Sequence, residues 1–172
     1  MTSSKSQYVL LTPTAQPPKR GSALAAGLDV CADFYTKEGD LRRLFDGRDH
    51  HLLKDSQGDR KPCFVLKPGH RVLIPSGIAM STSADLYTRV APRSGLALKQ
   101  GLEILGGVVD ADYTGEIGII CKNGDPKHDI EISHGMRIAQ LVLTQISLDT
   151  ASQVNELGGH LRGLGGFGST GI

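Results

Sequence analysis

The sequence predicts an all-β fold, an antiparallel sandwich or barrel with one short helix. Short apolar segments recur along the chain, and turn sequences such as Lys67-Pro68-Gly69 and His134-Gly135 separate them. Many short strands punctuated by turns are typical of antiparallel sheets that pack face to face or close into a barrel. The length of 172 residues fits one domain with a substantial core.

The predicted strands follow one another at short spacing. They cover residues 8–11, 28–31, 64–66, 71–74, 78–80, 87–90, 118–121, 130–132 and 138–143. Pro75-Ser76-Gly77 predicts a turn between two of them. The single predicted helix runs from Ser94 to Gln100, where Ser94 can cap the start and Gly101 can end it.

Residues 38–62 interrupt this rhythm. Twelve of the 25 residues are charged, six of each sign, which indicates a solvated surface insertion between two strands. Leu41, Leu44 and Phe45 have helical spacing and predict a short amphipathic turn. The balance of charge argues against a nucleic-acid patch here, whereas a protein partner stays open.

Composition limits the partners of the whole chain. Lysines and arginines number 19 against 18 acidic residues, a balance untypical of nucleic-acid or membrane binders. No apolar run reaches membrane-spanning length, and the polar N-terminus lacks a secretory signal. Three cysteines without C-x-x-C spacing indicate reduced thiols and an intracellular protein, cytoplasmic or nuclear. His50, His51, Cys63 and His70 match no familiar zinc spacing.

The segment 106–115 predicts a β-hairpin with a catalytic candidate. Two glycines precede the apolar pair Val108-Val109, and Asp110 follows that pair directly. A carboxylate partly desolvated at a strand end can orient and deprotonate a water molecule. An ordinary turn aspartate is the alternative.

Three further segments contain polar residues suited to a phosphate or a metal. Arg93 and Ser94 stand at the predicted helix start, where free N–H groups favour phosphate, although Ser94 can equally be a plain cap. Asp29 lies within an apolar strand and predicts either a structural acceptor or a hydrated magnesium site. Gln140 lies on a later strand and can reach a phosphate or a metal-bound water.

The last fifteen residues contain seven glycines. Glycine lets backbone N–H groups approach phosphate oxygens, while Arg162 supplies a cationic fork and Phe167 a stacking face. These features predict a mobile arm that closes over a flat-ringed, phosphorylated ligand. A frayed terminus is the alternative.

Five blocks, taken together in this order, resemble the five sequence motifs of the trimeric dUTPases, the deoxyuridine triphosphate nucleotidohydrolases. The blocks are residues 26–29, 92–96, 107–115, 135–141 and 162–171. The resemblance spans residues 8–172 and leaves the insertion unmatched. It implies a jelly-roll-like β-barrel assembled as a homotrimer with shared active sites. It also implies one β domain over residues 1–157, with the insertion at about 38–62, and the glycine-rich mobile arm over 158–172.

The resemblance further implies the reaction, in which dUTP is hydrolysed to dUMP and pyrophosphate with Mg²⁺. Such an enzyme keeps uracil out of DNA and supplies dUMP for thymidylate synthesis. Asp110 would activate the water that attacks the α-phosphorus, and Tyr113 would pack against the deoxyribose and exclude a 2′-hydroxyl. No asparagine stands between Gly101 and Asp110, unlike in some members, so uracil would be read by backbone groups. Those groups belong to Leu105, Gly106, Gly107 and Val108.

Phosphate and metal contacts are implied in the same way. Asp29 would hold the water shell of the metal, and Gln140 would contact a phosphate or a metal-bound water. Phe167 would stack on uracil, and Arg162 would meet the γ-phosphate. The remaining phosphate contacts would come from Arg93, Ser94 and Gly95 at the helix start and from Gly168, Ser169 and Thr170 on the arm.

Two other functions compete with this interpretation. A dCTP deaminase shares the fold but needs a placed glutamate for proton transfer, and residues 110–113 and the Phe167 arm resemble dUTPase more closely. A non-catalytic nucleotide-binding regulator could use the insertion to bind a protein. The presence of Asp110, Arg93 and Phe167 argues against lost catalysis.

Overall fold

The computed structural model describes residues 6–46, 50–52 and 62–159, which form short strands and one helix and so confirm the predicted all-β class. The elements are β1 (Gln7–Leu10), β2 (Lys19–Arg20), β3 (Leu28–Cys31), β4 (Arg43–Phe45), β5 (His50–Leu52), β6 (Cys63–Leu66), β7 (Arg71–Ser81), β8 (Leu86–Pro92), α1 (Ser94–Gln100), β9 (Leu102–Leu105), β10 (Val108–Val109), β11 (Glu116–Asn123), β12 (Ile130–Ser133) and β13 (Arg137–Gln145).

The strands pair antiparallel in three sheets that enclose one core. One sheet has the order β5-β4-β7-β11-β9, with β1 also on β7; a second has the order β10-β8-β13-β3-β2; the pair β12-β6 stands apart. Side chains from all three sheets form a single hydrophobic cluster, for example Ile119, Leu141 and Ile132. On β11 every second residue is buried, as a strand with one face on a core requires.

The predicted turn at Pro75-Ser76-Gly77 is wrong, because these residues form a kink inside one long strand, β7. Gly77 adopts a left-handed conformation with a φ of +68°, and the register with β11 shifts here, because residues 76–78 of β7 lie opposite the single residue Ile117. Side chains satisfy the backbone groups that leave the ladder here: Ser76 Oγ donates to the carbonyl of Ile117 at 2.7 Å, and the Gly77 N–H donates to Glu116 at 2.7 Å. Pairing therefore continues on both sides of the kink.

The start of the insertion is also different from the expectation. The predicted helical turn at Leu41, Leu44 and Phe45 is wrong, because β4 and β5 form an antiparallel hairpin whose first strand pairs with β7 at Phe45 and Leu73. Leu44 is only 1% exposed and belongs to the core, so this part of the insertion is not a solvated appendage. Pairing with the open edge of β7 favours a strand here, although the local spacing of apolar residues is helical. Residues 47–49 and 53–61 lie outside the described residues, and a protein partner here stays a prediction.

The helix has the predicted bounds but a different cap. Gly101 ends α1 in a left-handed conformation, as expected, and its N–H donates to Ala97. The N-cap is Arg93 without a side-chain capping bond, so the expectation that Ser94 caps the helix is wrong and Ser94 is its first residue. Among the described residues, no helix has the length and apolar character to cross a membrane.

The three cysteines differ in how deeply they are buried. Cys31 and Cys121 are buried and Cys63 is partly buried. Burial raises the pKa of Cys121 to about 12, because the apolar core disfavours the thiolate. Cys121 is therefore a neutral core thiol at physiological pH.

Candidate active site

Three of the five sequence blocks meet at one cavity of about 430 Å³ at the start of α1. Strand register brings them together: Gln140 of β13 lies opposite Asp29 of β3 on one side and opposite Ala91 of β8 on the other. Arg93 follows the end of β8 directly. The lining residues are Asp29, Arg93, Ser94, Gly95, Leu96, Lys99, Gln100 and Gln140.

Asp29 holds the cationic side of this cavity in place. Its two carboxylate oxygens accept hydrogen bonds from Arg93 Nε at 3.1 Å and from Arg137 Nη1 at 3.0 Å. Arg93 also donates to the backbone carbonyl of Arg137 at 3.0 Å. The charges of Arg93 and Lys99 exceed the single negative charge of Asp29 in the cavity lining, so the cavity favours an anion.

Three basic residues around Asp29 were not anticipated from the sequence. Lys19, Arg20 and Arg137 line a second cavity of about 410 Å³ that also contains Asp29. Lys19 lies opposite Asp29 in the β2–β3 pair, and Arg20 binds the carbonyls of Ala25 and Ala26. Only strand pairing reveals these neighbours, because β2 brings Lys19 and Arg20 to β3 and β13 brings Arg137. The two-residue strand β2 has too little pattern to be predicted from sequence.

Gln140 is fixed by two close neighbours. Its Nε2 donates to the carbonyl of Pro92 at 2.9 Å, which ties β13 to the end of β8. A Cβ atom on Gly27 would lie 2.5 Å from Gln140 Oε1, so the glycine makes room for the amide. The second hydrogen of the amide nitrogen remains available to a ligand.

The predicted β-hairpin is wrong, because β10 pairs with β8 while the following strand, β11, pairs with β7 and β9 in the other sheet. Residues 106–115 instead form a loop around one two-residue strand, here called the 106–115 loop. The start of this loop has a backbone that only glycine adopts easily. Gly106 and Gly107 have φ values of +75° and +77°. A Cβ on Gly107 would lie 2.8 Å from the Val90 carbonyl, and the Val90 N–H donates to Gly107 at 2.9 Å. Leu105 and Val108 are 36% and 67% exposed, so this loop presents an open face to a ligand.

Asp110 and Tyr113 occupy the turn that follows. The expectation that Asp110 is partly desolvated is wrong for the single chain: Asp110 is exposed, because it follows the last paired residue of β10. The Tyr113 N–H donates to the Asp110 carbonyl at 3.2 Å, and the Tyr113 hydroxyl donates to the Glu116 carbonyl at 2.9 Å. A Cβ on Gly115 would lie 2.5 Å from the Tyr113 hydroxyl oxygen, so Gly115 allows the ring to lie over the turn.

The cavity and the 106–115 loop lie far apart in one chain. Val109 pairs with Thr88, so Asp110 continues along β8 away from Arg93. At about 3.3 Å per residue, the six positions between the level of Asp110 and Arg93 span about 20 Å. The described chain therefore brings Asp29, Arg93 and Gln140 together but separates them from Asp110 and Tyr113.

The other predicted site residues lie outside the described part of the chain. These are Arg162, Phe167, Gly168, Ser169 and Thr170 of the arm. Within the described residues, no group of three or more His, Cys, Asp or Glu side chains could hold a metal ion.

A protein-family model described as dUTPase matches residues 61–171. Three similar proteins are named deoxyuridine 5'-triphosphate nucleotidohydrolase. That of Heliobacterium modesticaldum is 36% identical and the alignment covers 98% of this chain and 97% of the relative. That of camelpox virus is also 36% identical (96% and 92%), and that of mouse is 34% identical (96% and 84%).

Solved structures agree with the described fold. A mutant dUTPase of Staphylococcus bacteriophage 80alpha with dUpNHpp is 25% identical with a TM-score of 0.75, covering 98% of this chain and 99% of that one. A phage phi11 dUTPase mutant whose structure reveals a coordinated structural Mg(II) ion has a TM-score of 0.69 at 22% identity, covering 90% and 99%. The predicted dUTPase-like, jelly-roll-like architecture is thereby confirmed, while the trimer stays a prediction.

Proposed function

The chain belongs to the dUTPase family and is therefore a dUTP diphosphatase, and from this premise we propose that Asp110 activates the water that attacks the α-phosphorus of dUTP. The products are dUMP and pyrophosphate, so the enzyme keeps uracil out of DNA and supplies dUMP for thymidylate synthesis. The observation that carries the proposal is the strand register that gathers Asp29, Arg93 and Gln140 around one cavity with excess positive charge.

The cavity at α1 binds the triphosphate. Arg93 is held by Asp29, so its guanidinium is already oriented when the ligand arrives. Ser94 and Gly95 precede the first helical hydrogen bond, made by the Leu96 N–H, so their own N–H groups are available to phosphate oxygens. Gln140 adds one neutral donor.

The 106–115 loop binds the nucleoside and supplies the general base. The backbone of residues 105–108 reads the edge of uracil, and the exposed Tyr113 ring packs against the deoxyribose. Asp110 accepts the proton from the attacking water, whose oxygen forms the new bond to phosphorus while the bridging oxygen leaves with pyrophosphate. Catalysis therefore depends on the position of the water and on neutralisation of phosphate charge.

The active site is shared between subunits of a homotrimer. Asp110 and the phosphate cavity of one chain lie about 20 Å apart by strand geometry, much farther than the reach of neighbouring phosphates in one nucleotide. A second copy of the chain must therefore bring its 106–115 loop to this cavity. A third contributes the arm, on which Phe167 stacks over uracil, Arg162 meets the γ-phosphate, and Gly168, Ser169 and Thr170 hold phosphate oxygens.

Magnesium fits the donor set of the cavity. Mg²⁺ keeps most of its water and binds through few carboxylates together with substrate phosphates. Asp29 is the one carboxylate lining the cavity in the described residues, and each of its oxygens can accept beyond its bond to an arginine. Asp29 would hold the ion through water, and the bound ion would neutralise charge on the phosphate oxygens.

The decisive experiment measures pyrophosphate release from dUTP, dTTP, dCTP and UTP with magnesium. We expect pyrophosphate release from dUTP alone, because the 106–115 loop distinguishes the base and Tyr113 distinguishes the sugar. Ammonia release from dCTP, without pyrophosphate from dUTP, would instead identify a deaminase. Binding of dUTP without any product would indicate a non-catalytic regulator.

A further inference from the structure

Arg42, near the start of the charged insertion, is directed into the domain rather than into solvent. Its side chain is only 18% exposed. Arg42 Nε donates to the Tyr35 carbonyl at 2.6 Å, and Nη1 donates to Glu116 Oε2 at 2.7 Å. Its Nη2 lies 3.8 Å from the carboxylate of Asp33. The guanidinium thus has three partners that fix its plane.

Asp33 provides the buried anchor of this arginine. Its side chain is 2% exposed, and it accepts hydrogen bonds from Thr12 and, at 2.6 Å, from Thr14. A buried carboxylate needs a paired cation and hydrogen bonds to remain charged at low cost. A Cβ on Gly77 would collide with the Asp33 carboxylate, so the kink in β7 leaves the space that this group fills.

Glu116 contacts both Arg42 and Tyr113. Its Oε2 is held by Arg42, and its Oε1 accepts the Gly77 N–H at 2.7 Å. Its backbone carbonyl accepts the Tyr113 hydroxyl at 2.9 Å. Glu116 therefore lies between the insertion and the Tyr113 ring, at the point where the register between β11 and β7 shifts.

We propose that Arg42 is a positioning residue for Tyr113 and so helps the enzyme discriminate deoxyribose from ribose. The inference rests on the proposed function, because it assumes that Tyr113 packs against the sugar. Arg42 holds the Glu116 carboxylate, the Glu116 backbone holds the Tyr113 hydroxyl, and the ring then excludes a 2′-hydroxyl. The insertion thus contributes to substrate selection through one side chain.

The test compares kcat/KM for dUTP and for UTP in the full-length protein. We expect Arg42→Gln to lower the ratio of dUTP to UTP about tenfold, the order expected when a charged hydrogen bond is lost. Arg42→Lys keeps the charge and should restore part of the ratio. Arg43→Gln, at the exposed next residue where β4 begins, should leave the ratio unchanged. General destabilisation would lower both activities together and leave the ratio intact.

A double-mutant cycle with Tyr113→Phe identifies the route. Tyr113→Phe removes the hydroxyl that binds Glu116, so Arg42→Gln should then change the ratio much less than it does in the parent protein. A full effect of Arg42→Gln in that background, or no effect in the parent protein, would overturn the inference. If the unmodified protein does not hydrolyse dUTP, the proposed function fails first, and the two failures are thus distinguishable.

Discussion

Gln140 lies directly opposite Asp29 in the β13–β3 pair, and this one register position places a neutral donor beside a carboxylate that holds two arginines. The two residues are 111 positions apart in the sequence. Their approach depends on Gly27, whose missing side chain leaves room for the Gln140 amide. The cavity at the start of α1 therefore depends on sheet pairing as much as on the identity of its charged residues.

Asp110→Asn should abolish most turnover while the protein folds and binds dUTP. Loss of a general base typically costs about 10²–10⁴-fold in rate. The exposure of Asp110 means that the substitution removes no buried contact. Steady-state pyrophosphate release and dUTP binding would be measured, with the exposed neighbour Asp112→Asn as the control. Near-normal kcat in Asp110→Asn would refute the assignment.

Mixed trimers should recover activity that neither parent variant has. Asp110→Asn lacks the base and Arg93→Gln lacks a phosphate contact, so each should be nearly inactive alone. If a site takes these residues from different subunits, random mixing leaves roughly a quarter of the sites with both. Activity would be assayed after the two variants are unfolded and refolded together. Recovery no greater than that from each variant refolded separately would mean that the site is not shared in this way.

Gly27→Ala should weaken catalysis without preventing folding. The new Cβ would lie 2.5 Å from Gln140 Oε1 and would displace the amide from its bond to Pro92. A ligand misplaced by such a shift loses on the order of 10- to 100-fold in kcat/KM. Gly21→Ala is the matched control, because a Cβ there meets nothing within 4 Å and neither glycine has a left-handed backbone. Equal kcat/KM in the two variants would contradict this account of Gly27.

Leu44→Ala should destabilise the fold although it lies in the charged insertion. Leu44 is 1% exposed, and truncation of such a side chain costs about 2–5 kcal/mol of unfolding free energy. Leu98→Ala, at an 87% exposed position, should change stability by less than about 0.5 kcal/mol. Urea unfolding of both variants checks the difference. A Leu44→Ala protein as stable as its control would show that the insertion packs independently of the core.

Local sequence patterns predicted the strands and helix well where a segment's own residues decide its structure. The 94–100 helix has a glycine stop within reach, and β3 has the predicted bounds. The predictions failed where contacts with distant residues determine the local structure. Pro75-Ser76-Gly77 stays in a strand because Glu116 accepts the Gly77 N–H. Leu44 joins a strand because an edge of β7 is open to pairing. Arg42, Arg137 and Lys19 were missed for the same reason, since only pairing brings them to Glu116 and Asp29.

The kink in β7 has a consequence for how this architecture tolerates added sequence. On the edge opposite β11, β1 pairs with residues 78–81 beyond the kink, while β4 meets Leu73 before it. The same edge of β7 thus pairs with two strands at separate places, and the pairing of β4 does not displace β1. A segment of 25 residues can accordingly stand before β6 while β1 keeps its pairing with β7. Additional sequence can therefore pair at the second place, where Arg42 links it to Glu116 and Glu116 binds Tyr113.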